Sequence, residues 1–175
     1  MTDIEQSLDI AALQDVIDEG RIRALHADYV DAVNRQAWSE FEDLFLPDAH
    51  LTVVKGPSSS DDVIGPGAIG GLIAGYVSVY EFLIQVVLNA RIRVRHQGDP
   101  DRAFARLYIA EFRQVTTSGR SIESSGVYHD EYQRREGRWW FARRRYDRIY
   151  ATAAKELEVH PFPTDLPFAD GFRRD

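Results

Sequence analysis

Ser121-Ile-Glu-Ser-Ser-Gly-Val-Tyr-His-Asp-Glu-Tyr132 and Arg138-Trp-Trp-Phe-Ala-Arg-Arg-Arg-Tyr-Asp-Arg-Ile-Tyr-Ala151 are two runs rich in aromatic and β-branched residues. Glu136-Gly137 lies between them as a turn signal, so together they read as an antiparallel hairpin. The same texture runs upstream through Phe82 to Arg95 and Ala103 to Val115, with breaks at Gly98-Asp99-Pro100 and Ser118-Gly119. Four long strands therefore fill the second half of the chain.

Helical spacing dominates the first third. Leu13, Val16, Ile17, Leu25, Tyr29 and Val33 recur at intervals near three and four, which predicts a long helix broken or bent near Gly20. A shorter helix should start around Trp38, where Ser39-Glu40-Phe41-Glu42 has the form of a capping box, and stop before Pro47. His50 to Val54 reads as a strand, and Lys55 to Gly67, rich in Gly, Pro, Ser and Asp, as a mobile loop that would serve as a lid. Pro66 suits a helix start, and Ala68 to Val79 predicts a third helix. Helices followed by antiparallel strands imply α+β architecture, with the helices packed into the concave face of one curved sheet. The tail from Lys155, with Pro161, Pro163 and Pro167, is expected to leave the sheet and wrap the surface or a partner subunit.

Composition fits one domain. The 175 residues are 44% hydrophobic and 11% aromatic, enough to build a core without metal or disulfide staples. The absence of cysteine removes disulfides, thiol nucleophiles and thiolate metal sites. No His, Asp or Glu cluster has metal-ligand spacing. Neither a secretory signal nor a bilayer-length apolar run is visible, which predicts a cytoplasmic protein without a membrane partner. A net charge of -7 argues against a nucleic-acid surface. Strand alternation splits Arg143-Arg144-Arg145 between two faces, so that run forms no basic stripe.

Tyr29, Asn34 and Trp38, then Phe45-Leu46-Pro47-Asp48-Ala49, Gln85 and Asn89, Gly126 to Asp130, and Gly137-Arg138-Trp139 stand at fixed distances. In order and spacing these words resemble the SnoaL-like branch of the nuclear transport factor 2 superfamily, over roughly residues 10 to 150. The resemblance implies a cone-shaped α+β fold of three helices against one strongly curved, mainly antiparallel sheet, a central pocket between them, and commonly a homodimer through the sheet. It also implies one of several roles, among them dehydratase, isomerase, polyketide cyclase, epoxide hydrolase or a binding protein without chemistry. The branch's dehydratases usually carry an aspartate and a histidine where this chain has Asn34 and Gln85, and neither amide titrates near neutral pH.

The residues around that gap carry alternative readings. Tyr29 shares the apolar stripe with Leu25 and Val33, so its ring is buried and its hydroxyl either bonds to protein or polarises a ligand oxygen. Asn34 either orients a ligand or caps the helix end. His26 lies one turn before Tyr29 and is the histidine best placed to touch the pocket. Tyr128 faces inward by the family pattern, which sends His129 to the other side, half-exposed. Glu111 alternates with Leu107 and Ile109 and is either an edge carboxylate or a pocket base; Tyr108 is on the opposite face, so both cannot serve one cavity. Arg144 maps to an inward-pointing arginine of the branch and pairs either with an anionic ligand group or with a helix acid such as Asp31.

The resulting expectation is a pocket lined by Tyr29, Gln85, Tyr108, Tyr128 and Arg144, with His26 nearby. Its leading function is cofactor-free dehydration, isomerisation or cyclisation of a small cyclic, polyketide-like or steroid-like ligand. Tyr29 would polarise an oxygen, Asn34 and Gln85 orient, and Arg144 stabilise negative charge. The competing expectation is a non-catalytic binding or assembly protein. A homodimer is expected through an outer sheet face bearing Trp139 or Trp140 and Phe141.

Overall fold

The computed structural model describes residues 10–56, 59–152 and 158–159. Helix α1 (Ile10–Arg35) is continuous through Gly20, which faces solvent with no neighbour near it, so the expected break is absent. Its buried face starts only at Asp18 and continues through Ile22, Leu25, His26, Tyr29, Ala32 and Val33. Leu13, Val16 and Ile17 are exposed, because the first two turns extend beyond the sheet they were expected to cover.

A six-residue 3-10 segment (Trp38–Asp43) replaces the expected second α-helix. Ala37, which has no capping side chain, precedes it, and the Ser39-to-Glu42 sequence lies inside it rather than at a helix entry. Strand β1 (Phe45–Gly56) follows. The segment expected to be a loop contains β2 (Ser59–Ile64), paired antiparallel with β1 from His50↔Ile64 to Gly56↔Ser59. Its polar residues suit an edge strand, where Asp62 accepts from Thr52 Oγ1 at 2.6 Å and Asp61 pairs with Lys55 Nζ at 2.5 Å. Helix α2 (Pro66–Val77) begins on Pro66, after Gly65 at φ +87°.

The four long strands appear as read: β3 (Tyr80–Arg93), β4 (Arg102–Val115), β5 (Ser121–Arg135) and β6 (Arg138–Ala151). The sheet order is β2-β1-β6-β5-β4-β3, antiparallel throughout except for the parallel β1–β6 pair. Register shifts at Ser125/Gly126 and Glu131/Tyr132 bend β5 against β6 and help curl the sheet around the helices. A two-residue strand β7 (Glu158–Val159) pairs with Tyr150 and Ala151 of β6, so the chain after Lys155 does rejoin the sheet briefly. The expectation for the segment carrying Pro161, Pro163 and Pro167 falls outside the described residues.

The core lies between α1 and the concave face. Tyr29 stacks on Phe41 at 5.4 Å, and Phe45 stacks on Phe141 at 4.9 Å. Trp139 is also inside and donates its indole N–H to Asp18 Oδ1 at 3.0 Å. Trp139 and Phe141 therefore leave the outer face expected to carry a dimer contact. Exposed apolar side chains of the outer face, among the described residues, include Phe82, Ile84, Val86 and Leu88 of β3 and Phe112 of β4, which adjoin one another, and Ile64 at the far edge on β2.

Candidate functional site

A cavity of about 490 Å³ opens between α1, α2 and the concave sheet. Its walls are apolar, with Val33 from α1, Ile73 from α2, and Leu51, Val53 and Leu83 from the strands. One end is polar, formed by Tyr29, Gln85, Glu111, Tyr128 and Tyr146. Lys55, Tyr76, Tyr80, Arg113 and Arg148 also contribute to the lining.

Gln85 is placed by its backbone. In an antiparallel pair the N–H and C=O of one residue point the same way, alternately toward the partner strand and away from it. At Gln85 both face the open edge of β3, where Asn34 meets them: Asn34 Oδ1 accepts from the Gln85 N–H at 2.8 Å, and Asn34 Nδ2 donates to the Gln85 C=O at 3.1 Å. The whole amide of Asn34 is used in this clamp. It lies outside the cavity lining and caps no helix end, which corrects both sequence readings of that residue.

The same geometry makes Gln85 and Glu111 a directly opposed pair whose side chains meet. Gln85 Nε2 donates to Glu111 Oε1 at 3.1 Å and lies 3.2 Å from the Tyr128 hydroxyl. Gln85 Oε1 is buried with no hydrogen-bond partner among the described residues. Glu111 Oε2 accepts from Ser124 Oγ at 2.9 Å; Ser124 in turn accepts from Arg113 Nη2 at 2.6 Å. Of the two readings of Glu111, the structure selects the pocket carboxylate. Tyr108 consequently stands on the outer face, away from the cavity, and is removed from the expected lining.

Tyr128 does face inward, opposite His129. His129 is buried rather than half-exposed, with its Nε2 3.9 Å from Asp147 Oδ2. Burial raises the Tyr128 phenol well above its ordinary pKa, and it raises Tyr29 as well, against the opposing pull of Arg144. Both phenols stay protonated at neutral pH and can act as hydrogen-bond donors.

Arg144 is fully buried behind those rings and does not line the cavity. Its guanidinium carbon lies 4.0 Å from the Tyr29 ring centre and 4.1 Å from that of Tyr128. Its counter-ion is Asp130, at 2.7 Å from Nε and 2.8 Å from Nη2. Asp31, the expected helix acid, pairs with Arg35 instead. Burial alone would lower the Arg144 pKa, but Asp130 outweighs it and holds the group charged.

His26 also belongs to this buried layer rather than to the lining. Arg144 Nη2 lies 3.3 Å from His26 Nδ1, and His26 Nε2 is bonded to the Tyr132 hydroxyl. Tyr132 donates its single proton to Asp130 Oδ2 at 3.0 Å, so His26 must donate from Nε2 and accept at Nδ1. That is the neutral imidazole. Burial, reinforced by Arg144, correspondingly pushes the His26 pKa well below its ordinary value.

The structure thus brings Tyr29, Gln85 and Tyr128 to one cavity, places Arg144 and His26 one layer behind, and leaves Asn34 and Tyr108 outside. Sequence reading did not single out Ser124, Arg113 or Tyr146. For Arg113 a signal existed. Alternation from Glu111 reaches Arg113; counting outward from Ser118-Gly119 pairs Glu111 with Gly126, so the observed Glu111–Ser124 register is not legible from that turn.

Solved structures share this fold. A type 2 hexachlorocyclohexane dehydrochlorinase, LinA, is 21% identical, with 89% of this chain and 99% of that chain covered at a TM-score of 0.71. LinA-type3 from Novosphingobium barchaimii LL02 is 22% identical, with 86% and 99% covered at a TM-score of 0.71. A Novosphingobium aromaticivorans protein provisionally named a scytalone dehydratase is 17% identical, with 86% and 96% covered at a TM-score of 0.71. Among curated proteins no match was found. The SnoaL-like domain model matches residues 14–145, three quarters of the chain, and with the cone and its pocket now described, the chain belongs to the SnoaL-like domain family.

Proposed function

We propose that this protein is a cofactor-free lyase, isomerase or cyclase acting on a small cyclic, polyketide-like or steroid-like molecule. One observation carries the reading: two buried phenols, Tyr29 and Tyr128, both kept protonated, stand at the polar end of an otherwise apolar cavity. Two neutral donors in a desolvated site are suited to stabilise the oxygen of an enolate-like intermediate. Arg144, stacked on the far side of both rings, adds positive potential without touching the ligand. The fold neighbour named for removing hydrogen chloride from hexachlorocyclohexane is consistent with elimination from a ring.

Exchange of the carbon-bound protons beside the carbonyl of 2-tetralone into deuterated water, followed by NMR, tests this without knowledge of the natural substrate. The wild-type protein should accelerate exchange over buffer, and Tyr29→Phe or Tyr128→Phe should each lower the rate, toward the about 100-fold typical of one lost oxyanion donor. Saturable binding of 2-tetralone with no exchange would support a non-catalytic binding protein instead, the reading that Asn34 and Gln85 favour.

We also infer a homodimer in which the exposed β3 stripe of Phe82, Ile84, Val86 and Leu88, with Phe112, packs on its counterpart in a second copy. This face replaces the Trp139 and Phe141 surface expected from sequence.

A further inference from the structure

We propose that Glu111 is the acid–base group of this cavity, relocated one strand away from the position where the chain carries Gln85. The inference rests on the proton-transfer reading above and supplies the group which that reading lacks. Glu111 is the carboxylate that lines the cavity among the described residues. It is held at both oxygens: Gln85 Nε2 donates to Oε1 at 3.1 Å and Ser124 Oγ to Oε2 at 2.9 Å. A carboxylate offers about four lone-pair sites, so one on each oxygen stays open to a ligand proton. Arg113 lies 3.9 Å from Oε2 through Nη1, which makes the pair a loose one, and it spends Nη2 on Ser124 at 2.6 Å. The carboxylate is thereby oriented without being saturated.

Its partners sit where the chemistry needs them. Gln85 Nε2 bridges Glu111 and the Tyr128 hydroxyl, so base and oxyanion donor share one anchor. In the forward step the Glu111 carboxylate takes a proton from the carbon next to a ring carbonyl. The C–H electron pair becomes the C=C bond of the enolate, and the negative charge arriving on oxygen is met by the Tyr128 and Tyr29 O–H groups. The Glu111 carboxylic acid then returns that proton. Delivered to a different carbon of the enolate, it completes an isomerisation; delivered to a departing hydroxide as the adjacent C–O bond breaks, it gives water and completes a dehydration. Neither route requires an added oxidant, reductant or metal. Gln85, in this arrangement, is a positioning residue, and Ser124 is a second one.

The 2-tetralone exchange assay separates this role from the function it rests on. Glu111→Gln keeps the side-chain volume and should lower exchange by at least about 100-fold while leaving 2-tetralone affinity within about twofold. Glu111→Asp, which retracts the carboxylate by one methylene, should retain part of the rate. Glu111→Ala should lose the rate and recover part of it on addition of sodium formate, a response that a merely structural carboxylate would not give. Wild-type exchange that persists in folded Glu111→Gln and Glu111→Asp would overturn the role of Glu111 and leave the proton-transfer function standing. No exchange by the wild-type protein would overturn both.

Discussion

Asn34 shows why an amide suits a position where the branch usually carries an aspartate. The open edge of β3 presents one N–H and one C=O at Gln85, and an amide answers both while a carboxylate answers only the N–H. Asn34→Asp should therefore destabilise the protein, by about 1–2 kcal/mol for the orphaned carbonyl, and Asn34→Ala by about 2–3 kcal/mol. Urea denaturation would measure both, and an unchanged midpoint for Asn34→Asp would remove the clamp from the argument. His26 carries a pH dependence at the same scale. Its folded-state pKa is depressed below the ordinary 6.5, so the unfolded chain binds the proton more readily. Stability is full above about pH 6.5 and falls as pH drops from there through the lower folded value, with a slope up to about 1.4 kcal/mol per pH unit. Denaturation at pH 7.5 and 5.5 should show this loss in the wild type and a smaller one in His26→Gln. Asp130→Asn would strand the Arg144 cation in the core, at a cost of about 3–5 kcal/mol.

Between elements, the β5–β6 contact shapes the cavity. A Cβ built on Gly126 would lie 2.3 Å from Tyr146 Cε2, so the tyrosine ring lies directly over the glycine and reaches the cavity by passing across it. Gly126→Ala should displace that ring and cost about 1–3 kcal/mol by overpacking. The same variant should change ligand affinity, because Tyr146 is part of the lining. Calorimetric unfolding together with a binding titration would report both, and a variant with unaltered melting and affinity would show that the ring moves aside freely. The β1–β2 hairpin is fastened to α2 in a comparable way, since Asp61 binds Lys55 at 2.5 Å and also accepts from the Tyr76 hydroxyl. Lys55 and Tyr76 are both lining residues, so this fastening closes one side of the pocket wall.

For the whole molecule, the uneven distribution of apolar surface is the feature with a consequence. The concave face is covered by α1, whereas β3 leaves four large apolar side chains exposed on the other face, next to Phe112. Light scattering at micromolar concentration should return twice the 20.0 kDa chain mass, and Ile84→Lys with Val86→Glu should return the single-chain mass while keeping the fold. A wild-type mass of one chain would set this assembly aside. Among the described residues no helix is long and apolar enough to cross a membrane.

The sequence by itself determined the α+β class, the four long strands, the helix start at Pro66, and the inward direction of Tyr29 and Tyr128. All but the direction of Tyr128 follow from short-range rules: a strand's two-residue alternation, a helix's repeat, and the backbone limits of glycine and proline. Alternation puts Tyr128 and His129 on opposite faces, and the family resemblance chose Tyr128 as the inward one. Its errors share one cause. Ser59–Ile64 looked like a loop because an edge strand keeps polar residues, and Leu13, Val16 and Ile17 looked buried because periodicity cannot say where a covering sheet ends. What only the tertiary structure decided is which groups meet. Glu111 faces Gln85 through β3–β4 register, Arg144 faces Asp130 through β5–β6 register, and Asn34 reaches the Gln85 backbone across 51 residues of chain. Register and helix docking are set by packing summed over the whole core, so the position of the pocket carboxylate became visible only once the sheet had curled around α1.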